Sequence, residues 1–466
     1  MVREAGDTAL LGARYGAATV SIVGLVTIIA FEALAVSTAM PEVAAALGSG
    51  STYGLAFSLL FTGQLFGIVT AGAWAQRCGP LPAVWTGQLL FASGSAVAGL
   101  APTFDVMLAG RLVAGLGAGL AMVSLYVIVG AVYPLAMRPR VFGWLSAAWV
   151  LPSIVGPLVA AWLTHAVSWR AVFLVIVPLA AASAVGMRRA ATLLREGPGP
   201  EYAAGVGEPP APIARSGRRT LALGAGVTVG AAALQLGASG PGWSAAVEAA
   251  LVVVGLAVLA VFVPRVLPPG SVRLRRGQPC VMVARLLLMA GFSGTISFVP
   301  LMLHGQVGLD LRATGALLAL ASIGWTCGSL IQGRPAVAGR GPELVFAGTV
   351  ILSLSCLALV AADALELPAW VFAVILPVFG LALGLGVTST SVLALALAPP
   401  GGHASASSSI QVADVLGSVL GVAAAGAVFA AGANAGWGEA TTFPLIWLAM
   451  CLVATLGMAP ARRIRL

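Results

Sequence analysis

Residues 17–40 read AATVSIVGLVTIIAFEALAVSTAM, an apolar stretch that contains one acidic residue, Glu32, and is followed by Pro41. About 20 apolar residues are enough for a helix to cross the hydrocarbon core of a membrane. A carboxylate near the centre of such a helix is expensive, at roughly 2.5–3.5 kcal/mol on insertion scales, and usually faces a cavity or a pathway. The stretch therefore predicts a membrane-spanning helix closed by Pro41, with Glu32 as the first candidate functional residue.

The composition of the whole chain agrees with a membrane protein. Of its 466 residues, 59% are hydrophobic and only 8% are charged, whereas soluble domains carry about 25% charged residues. The net charge of +9 comes from arginines that cluster in short connections between apolar stretches, so it does not indicate a nucleic-acid partner. The five cysteines are scattered without paired spacing, which predicts neither a disulfide framework nor a metal site, and we expect no cofactor.

The same length template predicts fourteen spans. They cover residues 17–40, 53–74, 82–101, 106–133, 141–164, 170–187, 220–238, 244–263, 281–303, 313–333, 343–362, 369–397, 405–431 and 441–459. If the N-terminus is cytoplasmic, nearly all loop arginines fall on the cytoplasmic side, and only Arg170 and Arg312 fall outside. We therefore expect a multi-pass protein of the bacterial cytoplasmic membrane with both termini in the cytoplasm.

An internal repeat appears when the sequence is shifted by 261 residues. The shift aligns Gly54 with Gly315, Gly63 with Gly324, Gly67 with Gly328, Gly72 with Gly333 and Gly87 with Gly348. Glycine richness alone is the alternative explanation. The repeat predicts an N-terminal six-helix bundle (1–187), a cytoplasmic linker (188–219), an inserted two-helix segment with a loop (220–279) and a C-terminal six-helix bundle (280–466), as in transporters with two parallel halves.

The loop after the second span carries a recognisable motif. It reads Gly72-Ala-Trp-Ala-Gln76-Arg77-Cys-Gly79-Pro80, which resembles the cytoplasmic loop signature of the major facilitator superfamily. In that signature glycine permits a tight turn and arginine anchors the helix ends. Gln76 stands where the family usually has Asp.

The fourth span contains Arg111 followed by Gly115, Gly117 and Gly119. This pattern resembles the fourth-helix motif of the same superfamily, in which an intramembrane arginine precedes spaced glycines. The glycines let helices approach closely, and a buried arginine needs an acceptor. The alternative is that Arg111 extends to the outer membrane interface.

Three further segments resemble the fourteen-span drug:proton antiporters of this superfamily. They are Pro152 to Ala161 with Gly156 and Pro157, which is similar to the antiporter motif of exporters; Trp169-Arg170-Ala-Val-Phe173; and Glu32 with Thr38 to Pro41. Prolines within a helix bend it by removing backbone hydrogen bonds, although Gly-Pro kinks are also common in other membrane helices. Trp169 and Arg170 also fit an interfacial anchor pair.

The thirteenth span supplies a second acid. Its polar residues Ser407, Gln411, Asp414, Ser418 and Gly421 alternate in steps of four and three and so share one helix face. A polar stripe inside an apolar helix usually faces the bundle interior, and Asp414 at its centre favours a functional role. The alternative is hydrogen bonding between helices, worth about 0.6 kcal/mol per contact.

The resemblance implies an all-α integral membrane protein with the major facilitator fold. It further implies a proton-coupled exporter of small lipophilic or cationic compounds that works by alternating access. Glu32, Asp414, Arg111 and Gln411 are then candidates for proton coupling or substrate binding. The partners implied are a small-molecule substrate, protons and membrane lipid, and we expect a monomer and no enzymatic activity. An importer or facilitator on the same fold and a non-transporting membrane sensor or scaffold remain alternatives.

Overall fold

The computed structural model describes residues 10–12, 14–48, 50–133, 137–196, 217–239, 243–332, 334–337, 339–397 and 403–464, and within these ranges it contains no strand. The helices are α1 (Gly16–Leu47), α2 (Leu55–Cys78), α3 (Pro80–Gly99), α4 (Phe104–Val132), α5 (Arg138–Ala166), α6 (Trp169–Leu174), α7 (Ile176–Glu196), α8 (Gly217–Ala238), α9 (Ala245–Val266), α10 (Gln278–Gly305), α11 (Leu311–Gln332), α12 (Gly341–Ala364), α13 (Trp370–Ala396), α14 (His403–Ala435), α15 (Glu439–Leu456) and α16 (Met458–Arg463). Short 3-10 helices cover Gly50–Gly54 and Pro335–Val337.

Each of the fourteen predicted spans falls on a helix, and the sixth and the last each consist of two consecutive helices. In the described part of the chain, thirteen spans are long and apolar enough to cross a membrane. The exception is α3, a 20-residue helix without a charged residue whose hydropathy is lowered by Thr86, Gln88 and Ser93. The all-α membrane fold predicted from the sequence is confirmed.

The helices pack in a pattern that repeats. In the first half α2 and α3 both pack on α4, and α1 packs on α5; in the second half α11 and α12 both pack on α13, and α10 packs on α14. Between the halves, α2 packs on α14 and α5 packs on α11. These two contacts are equivalent when each helix is matched with its counterpart in the other half. The exact domain boundaries stay a prediction.

Glycines that match in sequence make matching contacts. A Cβ atom on Gly63 would lie 2.2 Å from the carbonyl oxygen of Leu112, and one on Gly324 would lie 1.9 Å from that of Pro377. The first pair joins α2 to α4, and the second joins α11 to α13. Only glycine allows two helix backbones to approach so closely. The repeat in the sequence is therefore a repeat in the structure, and glycine richness alone does not explain it.

The seam between the halves is also lined by matched glycines. A Cβ atom on Gly54 would lie 3.2 Å from the Cα of Gly426 in α14, and one on Gly315 would lie 2.8 Å from the carbonyl oxygen of Pro157 in α5. Gly54 follows the end of α1, and Gly315 lies near the start of α11. Both contacts hold the halves together at the end of the bundle that is remote from the N-terminus.

An aromatic cluster closes the same end. The ring of Tyr53 lies 5.6 Å from that of Phe57, 5.5 Å from that of Phe298 and 6.0 Å from that of Phe429. Tyr53 is fully buried, and its hydroxyl has no hydrogen-bond partner among the residues that the structure describes. Because Phe298 and Phe429 belong to the second half, the cluster packs the two halves directly against each other.

The inserted helices α8 and α9 lie beside the seam formed by α2 and α14. Helix α8 packs on both of these helices, and α9 packs on α8. Thr62 in α2 donates a buried hydrogen bond of 2.9 Å to the side-chain oxygen of Gln235 in α8. The insertion is therefore attached to the first half by a specific polar contact as well as by packing.

The prediction that Pro41 closes the first span is wrong. Helix α1 continues through Pro41 to Leu47 and ends at Gly48, whose φ of 71° is in the left-handed region that favours glycine. Proline removes one backbone hydrogen bond from a helix, and the buried neighbours Met40 and Val43 hold α1 in place on both sides of it.

The helical part of the chain also extends into the segment predicted as a cytoplasmic linker. Helix α7 runs to Glu196, and α8 begins at Gly217. The arginines after residue 187 end the apolar span, but arginine is a good helix former and does not end the helix. The Gly-Pro-Gly-Pro sequence at 197–200 carries the residues that interrupt helices.

The close glycine contacts lead to a prediction about stability. In Gly115→Ala the added Cβ would lie 2.0 Å from the carbonyl oxygen of Leu60. In Gly380→Ala it would lie 1.8 Å from the carbonyl oxygen of Ala321. Each variant should lose about 1–3 kcal/mol of stability because the helices must separate, which would show as a lower apparent melting temperature in detergent. In the control Gly24→Ala the new methyl group meets open space, and an unchanged melting temperature in all three variants would contradict the packing.

Candidate functional site: two ion pairs inside the bundle

The first ion pair joins Glu32 to Arg111. Both residues are 1% exposed. Nη1 of Arg111 in α4 donates to Oε1 of Glu32 in α1, and Nε of Arg111 donates to the carbonyl oxygen of Ala56 in α2 at 2.7 Å. The pair therefore ties three helices of the first half together near the middle of α1.

The glycines of α4 explain why Arg111 remains inside the bundle. A Cβ on Gly110 would lie 2.6 Å from the backbone nitrogen of Ala98 in α3, and one on Gly115 would lie 2.0 Å from the carbonyl oxygen of Leu60 in α2. Helix α4 is thus held closely on both sides of the arginine. The structure does not support the alternative that Arg111 extends to the outer interface.

The second ion pair joins Asp414 in α14 to Arg285 in α10. Nε of Arg285 donates to Oδ1 of Asp414 at 2.5 Å, and Nη2 donates to Oδ2 at 2.8 Å, so the contact is bidentate. The side chain of Arg285 is 6% exposed and that of Asp414 is 26% exposed. The second pair therefore lies in the other half of the repeat and is more accessible than the first.

Helix α13 holds Arg285 from the side opposite the carboxylate. Nη1 of Arg285 donates to the carbonyl oxygen of Val387 at 2.8 Å, to Oγ1 of Thr390 at 3.1 Å and to Oγ of Ser391 at 2.7 Å. Every nitrogen of this guanidinium has a partner. Since bidentate, charge-assisted contacts of this kind are specific in direction, the position of Arg285 is fixed.

Arg285 was not among the residues singled out from the sequence, although a signal for it was present. It lies within the apolar stretch 281–303, just as Arg111 lies within the fourth span. A buried charge requires a partner, so an arginine and an aspartate in two spans of the same half could have been matched. What the sequence could not provide is the distance between α10 and α14.

The polar stripe of α14 continues from this pair. Gln411 lies one turn before Asp414 and is half-buried. Oγ of Ser418 donates to the backbone carbonyl of Asp414 at 2.9 Å and accepts from Oγ of Ser293 in α10 at 2.8 Å. Ser293 is 261 residues after Glu32, so the second half has a neutral hydrogen bond between helices where the first half has an acid.

The residues of the fifth-span motif lie between the first ion pair and the seam. Pro152, Gly156 and Pro157 are buried within α5. A Cβ on Gly156 would be 3.4 Å from the Cβ of Ala35 in α1, which is an ordinary contact, so a small residue is not required there by close packing. The close contact is instead made by the carbonyl oxygen of Pro157 with Gly315 of the other half.

The remaining motif residues have structural contacts. The guanidinium of Arg170 lies 4.2 Å from the centre of the Trp169 ring and donates through Nη2 to the carbonyl oxygen of Ala101 at 3.1 Å. Trp169 is buried and packs edge-on against Phe173, so it makes contacts within the protein. Gly79 has a φ of 81° directly before α3, which is the tight turn expected of this glycine.

Two residues of the second-span loop motif, Gly72 and Arg77, have side-chain surroundings that lie outside the described part of the structure. Their helical backbone is described as part of α2. Their role in the motif stays a prediction.

The buried first pair predicts a strong coupling between its partners. Arg111→Met leaves Glu32 as a buried carboxylate without a counter-charge, which should cost about 3–5 kcal/mol of stability. The double variant Glu32→Gln/Arg111→Met should recover much of this loss because it leaves no uncompensated charge. Apparent melting temperatures in detergent measure both effects.

The control for this cycle is Arg312→Met, which removes an exposed guanidinium bonded to His165 and should change the melting temperature little. If the effects of Glu32→Gln and Arg111→Met were simply additive, the two side chains would not be coupled.

Comparison with known proteins agrees with this architecture. A relative from Mycobacterium tuberculosis, an uncharacterised transporter of the MFS type, is 27% identical over 406 residues, which cover 84% of this chain and 56% of that protein. A multidrug efflux pump from Staphylococcus aureus is 24% identical over 164 residues, or 34% of this chain and 37% of that protein. The chain thus spans about half the length, or less, of these curated relatives.

A solved structure of a POT family transporter in complex with 5-aminolevulinic acid covers 97% of this chain, and this chain covers 96% of it, with a TM-score of 0.66 and 14% sequence identity. At that identity the likeness shows the fold alone. The family model of the Major Facilitator Superfamily matches residues 20–422. The chain therefore belongs to the major facilitator superfamily of membrane transporters.

Proposed function

We propose that this transporter is a proton-coupled exporter of small lipophilic or cationic compounds and that it works by alternating access. The observation that carries the proposal is the Glu32–Arg111 pair, a carboxylate and its counter-charge that are both fully buried at the centre of one half. Intramembrane acids in transporters commonly form proton relays. Asp414 with Gln411 is the second candidate for proton or substrate contact.

Protonation of Glu32 would change the balance between conformations. A neutral carboxyl group no longer offsets the charge of Arg111, which would then keep only uncharged acceptors, the oxygen of the Glu32 carboxyl group and the carbonyl oxygen of Ala56. Breaking a buried pair costs about 3–5 kcal/mol, and each 1.4 kcal/mol corresponds to a tenfold change in an equilibrium constant. One proton would therefore shift the population by roughly 10²- to 4 × 10³-fold toward a state in which Arg111 finds water or another acceptor.

A short chain of contacts links this pair to the seam. Glu32 and Ala35 are one turn apart on α1, and Ala35 faces Gly156 of α5. The next residue, Pro157, packs through its carbonyl oxygen on Gly315 in the other half. A small shift of α1 on loss of the ion pair would be transmitted through α5 to the contact that closes one end of the bundle, which gives Gly156 and Pro157 the role of hinge and seal.

Export is favoured over import by two observations. The segment from Pro152 to Ala161 resembles the antiporter motif of exporters, and one relative over part of the chain is a multidrug efflux pump. An importer or facilitator would predict accumulation in intact cells and no uptake by everted vesicles. A sensor or scaffold would predict that loss of both intramembrane acids leaves function intact.

The predicted orientation completes the proposal. The arginine distribution supports a cytoplasmic location for both termini, and we expect the protein to act as a monomer in the bacterial cytoplasmic membrane. In that orientation the closed end formed by Tyr53, Gly54 and Gly315 faces outward, and the pathway would open toward the cytoplasm.

The coupling role of Glu32 is testable in proteoliposomes with an imposed proton gradient and a panel of cationic and neutral compounds. Glu32→Gln keeps an oxygen that can accept from Arg111 but cannot exchange a proton. We expect the initial rate of gradient-driven transport to fall by more than tenfold. Counterflow of substrate in the absence of a gradient should be retained. Counterflow is the exchange of labelled for unlabelled substrate.

The matched control is Glu248→Gln, since Glu248 lies in the first turn of the inserted helix α9, away from both ion pairs. It should transport at the rate of the unmodified protein. Full gradient-driven transport by Glu32→Gln would show that proton coupling, if present, uses another residue.

A further inference from the structure

Both acids at the candidate site are already matched by arginines. Glu32 pairs with Arg111, and Asp414 pairs with Arg285. Each pair has a net charge of zero, and each arginine is at least as deeply buried as its acid. A positively charged compound entering between the halves would therefore meet two neutralised carboxylates.

The Arg285–Asp414 pair is the one that a compound could reach. The side chain of Asp414 is 26% exposed, whereas that of Glu32 is 2% exposed. The more accessible side of the pair is therefore the carboxylate, since the side chain of Arg285 is only 6% exposed.

Arg285 cannot easily move away to free this carboxylate. Its guanidinium is held by two bonds to Asp414 and by three acceptors on α13, and one of those acceptors is the backbone carbonyl of Val387. A cation bound at Asp414 would leave Arg285 close by with its charge uncompensated. Because the two opposite charges lie side by side, this repulsion cancels most of the attraction to the carboxylate.

We infer that Arg285 is a specificity-determining residue, which directs this transporter toward uncharged or internally charge-balanced compounds and against permanent cations. The inference rests on the proposed function and narrows its substrate class. An uncharged compound can accept or donate hydrogen bonds at the exposed edge of Asp414 without separating the pair. A permanent cation gains little there, because Arg285 already balances the charge of the carboxylate.

Two probes with similar aromatic surfaces test whether the protein prefers an uncharged compound or a permanent cation. Tetraphenylphosphonium is a permanent lipophilic cation, and triphenylphosphine oxide is its uncharged relative. Binding of each to the purified full-length protein in detergent is measured by calorimetry without a proton gradient. The unmodified protein should bind triphenylphosphine oxide more tightly than tetraphenylphosphonium.

The decisive variant is Arg285→Gln, which leaves Asp414 as an unpaired carboxylate. We expect it to bind tetraphenylphosphonium at least tenfold more tightly than the unmodified protein does, with less than a threefold change for triphenylphosphine oxide. Arg285→Lys keeps the positive charge and should show no gain. The double variant Arg285→Gln/Asp414→Asn removes the freed carboxylate and should lose the gain.

Two results would overturn the inference. One is that the unmodified protein binds tetraphenylphosphonium as tightly as triphenylphosphine oxide, or more tightly. This measurement needs no variant, so it tests the inference even if Arg285→Gln is unstable. The other is a folded Arg285→Gln that gains no affinity for the cation, whatever the unmodified protein binds. Both are binding results, so they are independent of the gradient-driven transport assay that tests the proposed function.

Discussion

A charge inside this helical bundle must find its partner within the bundle, because neither water nor a mobile counter-ion is available in the hydrocarbon core. Glu32 and Asp414 meet this requirement with Arg111 and Arg285. Each pair joins helices of one half and does not cross between the halves. The two halves can therefore change their relative orientation without breaking either pair, and the pairs instead fix how the helices within each half are arranged.

That arrangement depends in turn on glycine. Gly63 and Gly324 bring equivalent helix pairs into backbone contact in the two halves. The packing has thus been kept in both copies while the chemistry has diverged, as Ser293 in the position equivalent to Glu32 illustrates. Close packing is a requirement that both halves share, whereas the proton pathway that we propose would need only one acid at the centre of one half. The structure is symmetric in its contacts and asymmetric in its charges.

The sequence predicted the order of the spans and the internal repeat, because hydropathy and glycine spacing act locally or periodically, whereas the functional role of Glu32 stays a proposal. It failed at Pro41 and at residues 188–196, where tertiary packing and helix propensity carry a helix beyond the apolar stretch. It also gave Arg111 two possible environments and overlooked Arg285. Partner assignment depends on which helices touch, and no local pattern contains that information.

The two ion pairs consist of the same kinds of charged groups but differ in how far they are exposed to solvent. At 1% exposure, Glu32 and Arg111 are shielded from water, so the loss of one charge is felt at full strength by the helices that they join. The carboxylate of Asp414, at 26% exposure, is partly screened by solvent, so the same change there would have a smaller effect on the fold. A group that must convert a proton into a movement needs the first environment, and a group that must contact a passing compound needs the second. This difference in burial supports coupling at Glu32 and recognition at Asp414.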